Sequence, residues 1–172
     1  MKKLLTIALA LTLVLSLSVV AFANNTNTNG SWANEDDKTL VQYTLADSYV
    51  VTIPADVTLN DFGGAVVERT VTASDVSVGY DEEVQVTVTS ANAWNIVDTK
   101  AGNADNKYAY TVKLGDSSDA ITNGTEVLAV DVEDEETKGS GSVVMKFALS
   151  QAVIYSGNYL DTLTFVVNVG AK

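Results

Sequence analysis

Apolar residues recur at every second position through much of the chain, the spacing of strands that pack on one face and meet water on the other. Val84, Val86 and Val88 alternate with Gln85, Thr87 and Thr89. Tyr108, Tyr110, Val112 and Leu114 alternate with Ala109, Thr111 and Lys113, and Met145, Phe147 and Leu149 with Val144, Lys146 and Ala148. Nearer the start, Val41, Tyr43 and Leu45 alternate with Gln42, Thr44 and Ala46; Tyr49, Val51 and Ile53 follow, until Pro54 stops the run by removing a ladder donor. Val57 with Leu59, Val66 to Val71 with Val76 and Val78, and Val127 to Val132 are shorter runs. The last sets Tyr159, Asp161, Leu163, Phe165, Val167 and Val169 on one face and Leu160, Thr162, Thr164, Val166 and Asn168 on the other.

Turn clusters separate these runs: Asp61-Phe62-Gly63-Gly64, Gly115-Asp116-Ser117-Ser118, Asn123-Gly124, Lys138-Gly139-Ser140-Gly141 and Ser156-Gly157-Asn158. The count is about nine strands at the spacing of a sandwich or barrel, with no stretch of helical period. The pattern predicts an all-β fold, an antiparallel Ig-like or jelly-roll-type β-sandwich.

The first residues obey a different rule. Met1-Lys2-Lys3 is a short positive start, Leu4 to Val20 is apolar apart from small hydroxyl residues, and Ala21-Phe22-Ala23 is the small-x-small pattern that signal peptidase requires. An uncleaved membrane anchor is the competing reading, since the run is almost long enough to span a bilayer. The polar Asn/Thr stretch directly after Ala23 favours cleavage, which divides the chain into a signal peptide (1–23), a flexible polar leader (24–38) and one β-sandwich domain (39–172). The product is expected to be secreted, or held non-covalently at the cell surface, with no membrane attachment after cleavage.

Composition narrows the chemistry. The 172 residues include no His and no Cys, which excludes a Ser-His-Asp triad, a cysteine nucleophile, a thiolate metal cage and any disulfide. Export without cysteine requires stability from packing alone, a habit of Gram-positive secreted proteins. Asp+Glu 22 against Lys+Arg 10 gives a net charge of −12, which repels nucleic acid and anionic membranes. Paired carboxylates alone suffice for glycosidases, but acids clustered on loops are more often solvated than catalytic. A non-enzymatic protein is expected.

Two candidate sites remain. Asp131-Val132-Glu133-Asp134-Glu135-Glu136 concentrates hard oxygens in one loop, and Glu133, Asp134 and Glu136 are the residues that would hold a calcium ion; a solvated loop that keeps the protein soluble is the plainer account. Trp94 and Asn95 follow a strand among polar neighbours, where an indole with an amide beside it can bind a carbohydrate; an indole capping the core is the plainer account. An intramolecular Lys–Asn isopeptide bond needs a buried lysine, whereas Lys113 and Lys146 fall on the polar sides of their strands.

The segment SGNYLDTLTFVVNV, from Ser156 to Val169, resembles the Gly-x-Tyr-x-x-Thr-hydrophobic-Thr-Phe closing strand of small secreted β-sandwich proteins of Gram-positive bacteria, WxL-type surface domains among them. Ser48 to Leu59 resembles their opening strand, and Trp94-Asn95-Ile96 sits where a Trp-x-Leu would stand. Ile96 occupies the place of the Leu, and Phe165-Val166-Val167 that of the second Trp. The resemblance implies an Ig-like sandwich and, for WxL members, non-covalent attachment to the cell wall. The closing strand also resembles those of pilin and spore-coat-U-type subunits, which exchange strands within a fibre.

These readings give a secreted structural or adhesion-type protein, self-assembling or bound to other surface proteins, with a cell-wall or polysaccharide binding module as the alternative. If copies assemble, the leader around Trp32 is one strand that could be added to a neighbour, but residues 24–38 have too few alternating apolar positions and read better as a spacer.

Overall fold

A computed structural model describes residues 13–14, 43–132 and 137–172. The described chain is all-β and antiparallel: β1 (Leu13–Val14), β2 (Ser48–Thr52), β3 (Val67–Ser77), β4 (Glu82–Ser90), β5 (Asn95–Asp98), β6 (Lys107–Leu114), β7 (Thr125–Val130), β8 (Gly139–Leu149), β9 (Tyr159–Leu160) and β10 (Leu163–Ala171). Nine strands follow residue 43, as the alternation predicts. Among the described residues no helix is long and apolar enough to cross a membrane.

The strands form two sheets, β1-β2-β3-β8-β6-β5-β9 and the smaller β10-β4-β7. Register explains why they stack. Phe165, Val167 and Val169 of β10 stand opposite Val88, Val86 and Val84 of β4, so six apolar side chains share the inner face of the small sheet. Val71, Val112, Met145 and Phe147 supply the facing layer, and all four are essentially inaccessible to water. The two layers pack into one core cluster in which Val84, Val86 and Val88 are also fully buried. Burial of this kind stabilises by about 1.5–3 kcal/mol per large aliphatic or aromatic side chain.

Four details depart from the sequence expectation. Tyr43–Asp47 pairs with no strand among the described residues, although Tyr43 and Leu45 alternate correctly; both are exposed, at 70% and 60%. Alternation specifies the two faces of a strand but supplies no partner to pair with. Residues 66–78, read as two short runs, contain the single strand β3, Val67–Ser77, with an irregularity between Ala73 and Val76, where Asp75 adopts a left-handed φ of 55°. The final run is divided: β9 belongs to the large sheet and β10 to the small one. Gly139-Ser140-Gly141 begins β8 and makes no turn.

Those glycines are there for proximity. A Cβ on Gly139 would overlap the Asp131 carbonyl, and one on Gly141 would lie 2.6 Å from a methyl of Val130. The end of β7 therefore crosses close over the start of β8, and only glycine leaves room. Gly141→Ala is expected to cost about 1–3 kcal/mol, because the overpacked strand must shift. Chemical denaturation of this variant beside Ser142→Ala, at an exposed neighbouring position, is the measurement; equal midpoints would remove the packing argument.

Candidate functional site

Three chain crossings between the sheets meet at one end of the sandwich. β4 leaves the small sheet for β5 through residues 91–94, β6 of the large sheet leads to β7 through residues 115–124, and Asp161-Thr162 carries β9 into β10. The first crossing is a tight turn: Ala93 and Trp94 have φ of 49° and 62°, and the Asn95 N–H donates to the Asn92 carbonyl at 3.2 Å. Positive φ at both central residues is the primed turn geometry, which favours Asn and Gly over Ala and Trp. The Asn95 amide donates to the Asn92 and Ala93 carbonyls and holds the turn from below.

Asp161 ties the crossings together. Its carboxylate accepts from the Ser90 hydroxyl at 2.6 Å, the Tyr110 hydroxyl at 2.6 Å, the Asn92 N–H at 3.0 Å and the Thr162 N–H at 2.8 Å. Ser90 Oγ in turn accepts from the Trp94 N–H at 2.6 Å. Asn123, from the β6–β7 connection, accepts from the Ser90 N–H and donates to the Ser90 carbonyl. Ser90 and Tyr110 are buried, so this network replaces water within a low-dielectric end of the core. Four donors converge on the two carboxylate oxygens, an arrangement that fixes strand ends.

The Tyr110 hydroxyl is pushed far above the usual tyrosine range, first by burial, then by its hydrogen bond to Asp161 and the charge there. Tyr159 is pushed upward too, chiefly by burial. A folded-state value raised above the unfolded one, near pH 10, leaves stability intact below that pH and removes it as pH rises towards the folded value. The tyrosines therefore leave the thermal midpoint unchanged from neutral pH to about pH 10 and lower it beyond, with Tyr110→Phe less stable at neutral pH but less steep in alkali.

Trp94 packs edge-on against Tyr110, with ring centroids 6.0 Å apart at 72°, and joins the periphery of the core; its Nε1 is buried without a hydrogen-bond partner among the described residues. The indole thus lies against the polar network. Asn95 is engaged with its own turn. Glu133, Asp134 and Glu136 lie outside the described residues, and among the described residues no cluster of acidic side chains has the closeness of a metal site. Lys113 and Lys146 stand opposite each other in register, and Lys146 reaches Asp116 at 3.1 Å.

Next to this network lies a groove of about 790 Å³, which sequence periodicity does not reveal. Its floor is Ile96, Tyr110, Phe147 and Leu149 of the large sheet. One wall is the crossing from Leu160 to Thr162 with the start of β10, Leu163 and Phe165, and the other is the chain from Ile53 to Asp61. Residues 57–60 alternate half-buried Val57 and Leu59 with exposed Thr58 and Asn60, the burial pattern of a strand, yet residues 53–61 join no ladder among the described residues. Among the described residues β10 pairs only with β4, so its other edge looks into the groove. The free edge of β10 and a segment outside both sheets flank a floor that includes Ile96, Phe147 and Leu149.

No family model matches the sequence, and no curated protein matches it. A solved structure is similar over 72% of this chain and 40% of its own, at 16% identity and a TM-score of 0.46. It is the pre-assembly complex of a chaperone with a tip adhesion subunit from archaic chaperone-usher Csu pili of Acinetobacter baumannii. The chain thus spans less than half the length of the chain it matches.

Proposed function

We propose that the protein is an exported, non-enzymatic surface subunit that assembles with copies of itself by receiving an extended segment in the groove beside β10. The observation that carries this reading is the free edge of β10, facing residues 53–61, which join no sheet among the described residues, over the floor of Ile96, Phe147 and Leu149. A strand laid between them would pair along β10, turn the three-stranded sheet into a four-stranded one and remove apolar surface from water. Supporting features are the export-type start, the absence of His and Cys, and a closing strand resembling those of secreted Gram-positive sandwiches.

The strong negative charge of each exported copy, which grows when Lys2 and Lys3 leave with residues 1–23, opposes association at low salt, so assembly grows with ionic strength as repulsion is screened. The test combines sedimentation velocity and electron microscopy on the exported chain, from dilute to concentrated, with amide hydrogen exchange of β10. Linear oligomers whose appearance slows exchange at alternate β10 amides are expected. A protein that stays monomeric at every concentration and salt, with β10 exchange unchanged, would overturn the reading.

A further inference from the structure

We infer that the edge of β2 is a second contact surface, on which the β2 strands of two exported copies pair antiparallel about a two-fold axis. It rests on export and not on the groove, which no residue of β2 lines. Among the described residues the far edge of β2 meets only β1, with Leu13 opposite Val51 and Val14 opposite Val50. Both β1 residues lie within 1–23, the segment read as removed on export. Cleavage then takes away the strand that covers this edge and leaves N–H and C=O groups that favour a new one.

The edge is fit for pairing. No residue from Ser48 to Ala55 is charged, and the irregularity in its ladder with β3 places the extra residue on β3, so β2 itself carries no bulge. The other edges differ. β9 is two residues long, β7 carries Glu126 and leads into the acidic stretch from Asp131 to Glu136, and β10 borders the groove.

A two-fold contact requires a strand that complements itself. Ser48-Tyr49-Val50-Val51-Thr52 has a hydroxyl residue at each end and valine at its centre. An antiparallel pair centred on Val50 sets Val50 against its own copy, Tyr49 against Val51 and Ser48 against Thr52, and such aromatic with β-branched and hydroxyl with hydroxyl pairs stabilise sheets. Tyr49 and Val51 pack into the core, so an axis perpendicular to the sheet keeps both cores on one side of a continuous sheet. The rival occupant is the same chain's Tyr43 to Leu45. Turning back through Ala46 and Asp47 would set Tyr43 opposite Val50, on the side away from the core, and the structure leaves residues 43–47 unpaired with Tyr43 and Leu45 exposed.

A five-residue edge pair buries less than the roughly 1,200 Å² of a stable complex, so the contact is reversible and covalent capture is the suitable readout. In the cysteine-free exported chain, Val50→Cys is expected to give a disulfide-linked dimer and nothing larger, because directly opposed Cα atoms lie about 4.5–5.5 Å apart, within disulfide range. Thr52→Cys is expected to stay monomeric, since the two Thr52 residues lie about 14 Å apart along the pair. Amide exchange of β2 should slow as the concentration of the exported chain rises. Val50→Lys spares the core but sets like charges opposite each other, and should abolish that slowing while leaving association through β10 intact. Monomeric Val50→Cys with β2 exchange independent of concentration would overturn the inference, as would equal dimerisation of Thr52→Cys. A disulfide closed within one chain in Tyr43→Cys with Val50→Cys would give the edge to the chain's own segment instead. Dimers of Val50→Cys as abundant in the full chain as in the exported one would overturn the part assigned to Leu13 and Val14.

Discussion

Asp161→Ala is expected to lower stability by about 2–4 kcal/mol, because it leaves the buried Ser90 and Tyr110 hydroxyls without the acceptor each one now has at 2.6 Å. In a chain of 172 residues that corresponds to a fall in melting temperature of roughly 5–15 °C. The Asn92 and Thr162 N–H groups that also serve this carboxylate lie at exposed positions, and water can take over there. Asp161→Asn keeps one acceptor oxygen but turns an NH₂ towards the remaining donors, so it falls between wild type and alanine. A double-mutant cycle with Tyr110→Phe isolates the pair: a coupling of about 1–2 kcal/mol is expected, as for groups in one hydrogen-bond network. Should Asp161→Ala melt within a degree of wild type, the carboxylate would not be what joins the crossings.

This residue also shows how far the sequence can be read. Asp161 falls on the apolar face of the final alternating run, between Tyr159 and Leu163, and Tyr110 on the apolar face of its own strand. An acid placed among inward-facing residues signals a buried partner, but nothing local says that the partner is fifty-one positions away. The alternation of β4 and β10 was legible because each strand has one packed face and one wet face. Pairing was not, since periodicity is blind to which strand lies alongside: hence the unpaired Tyr43–Asp47 and the division of the last run between two sheets. The short strand β5 was missed because four residues after a turn carry too little pattern. Gly139 and Gly141 read as a turn because glycine's other use, letting two backbones approach, leaves the same letters. The groove was invisible for a further reason: its walls come from residues 53–61 and from the start of β10, far apart in the sequence, and nothing local says that they face each other.

Phe147→Ala carries the largest expected loss, about 3–5 kcal/mol, because Phe147 is 2% exposed at the centre of β8 and alanine leaves a cavity under both sheets. The ring has a second role that makes the variant informative about assembly. It stands opposite Val67 of β3 and Val112 of β6, and it lies at the base of the groove, where it supports Ile96 and Leu149. If the groove is filled by a second copy, association stabilises the folded state by mass action, and the melting temperature of the wild type rises with protein concentration. In Phe147→Ala the half-buried Ile96 and Leu149, on which an incoming strand would lie, lose the support beneath them, so the variant should melt lower and should also gain less from added protein. Met145→Ala separates the two effects: Met145 is equally buried on the same strand but does not line the groove. Its loss of about 2–5 kcal/mol should leave the rise with concentration unaltered. Parallel melting curves for the two variants across a concentration series would mean that the groove floor takes no part in holding copies together.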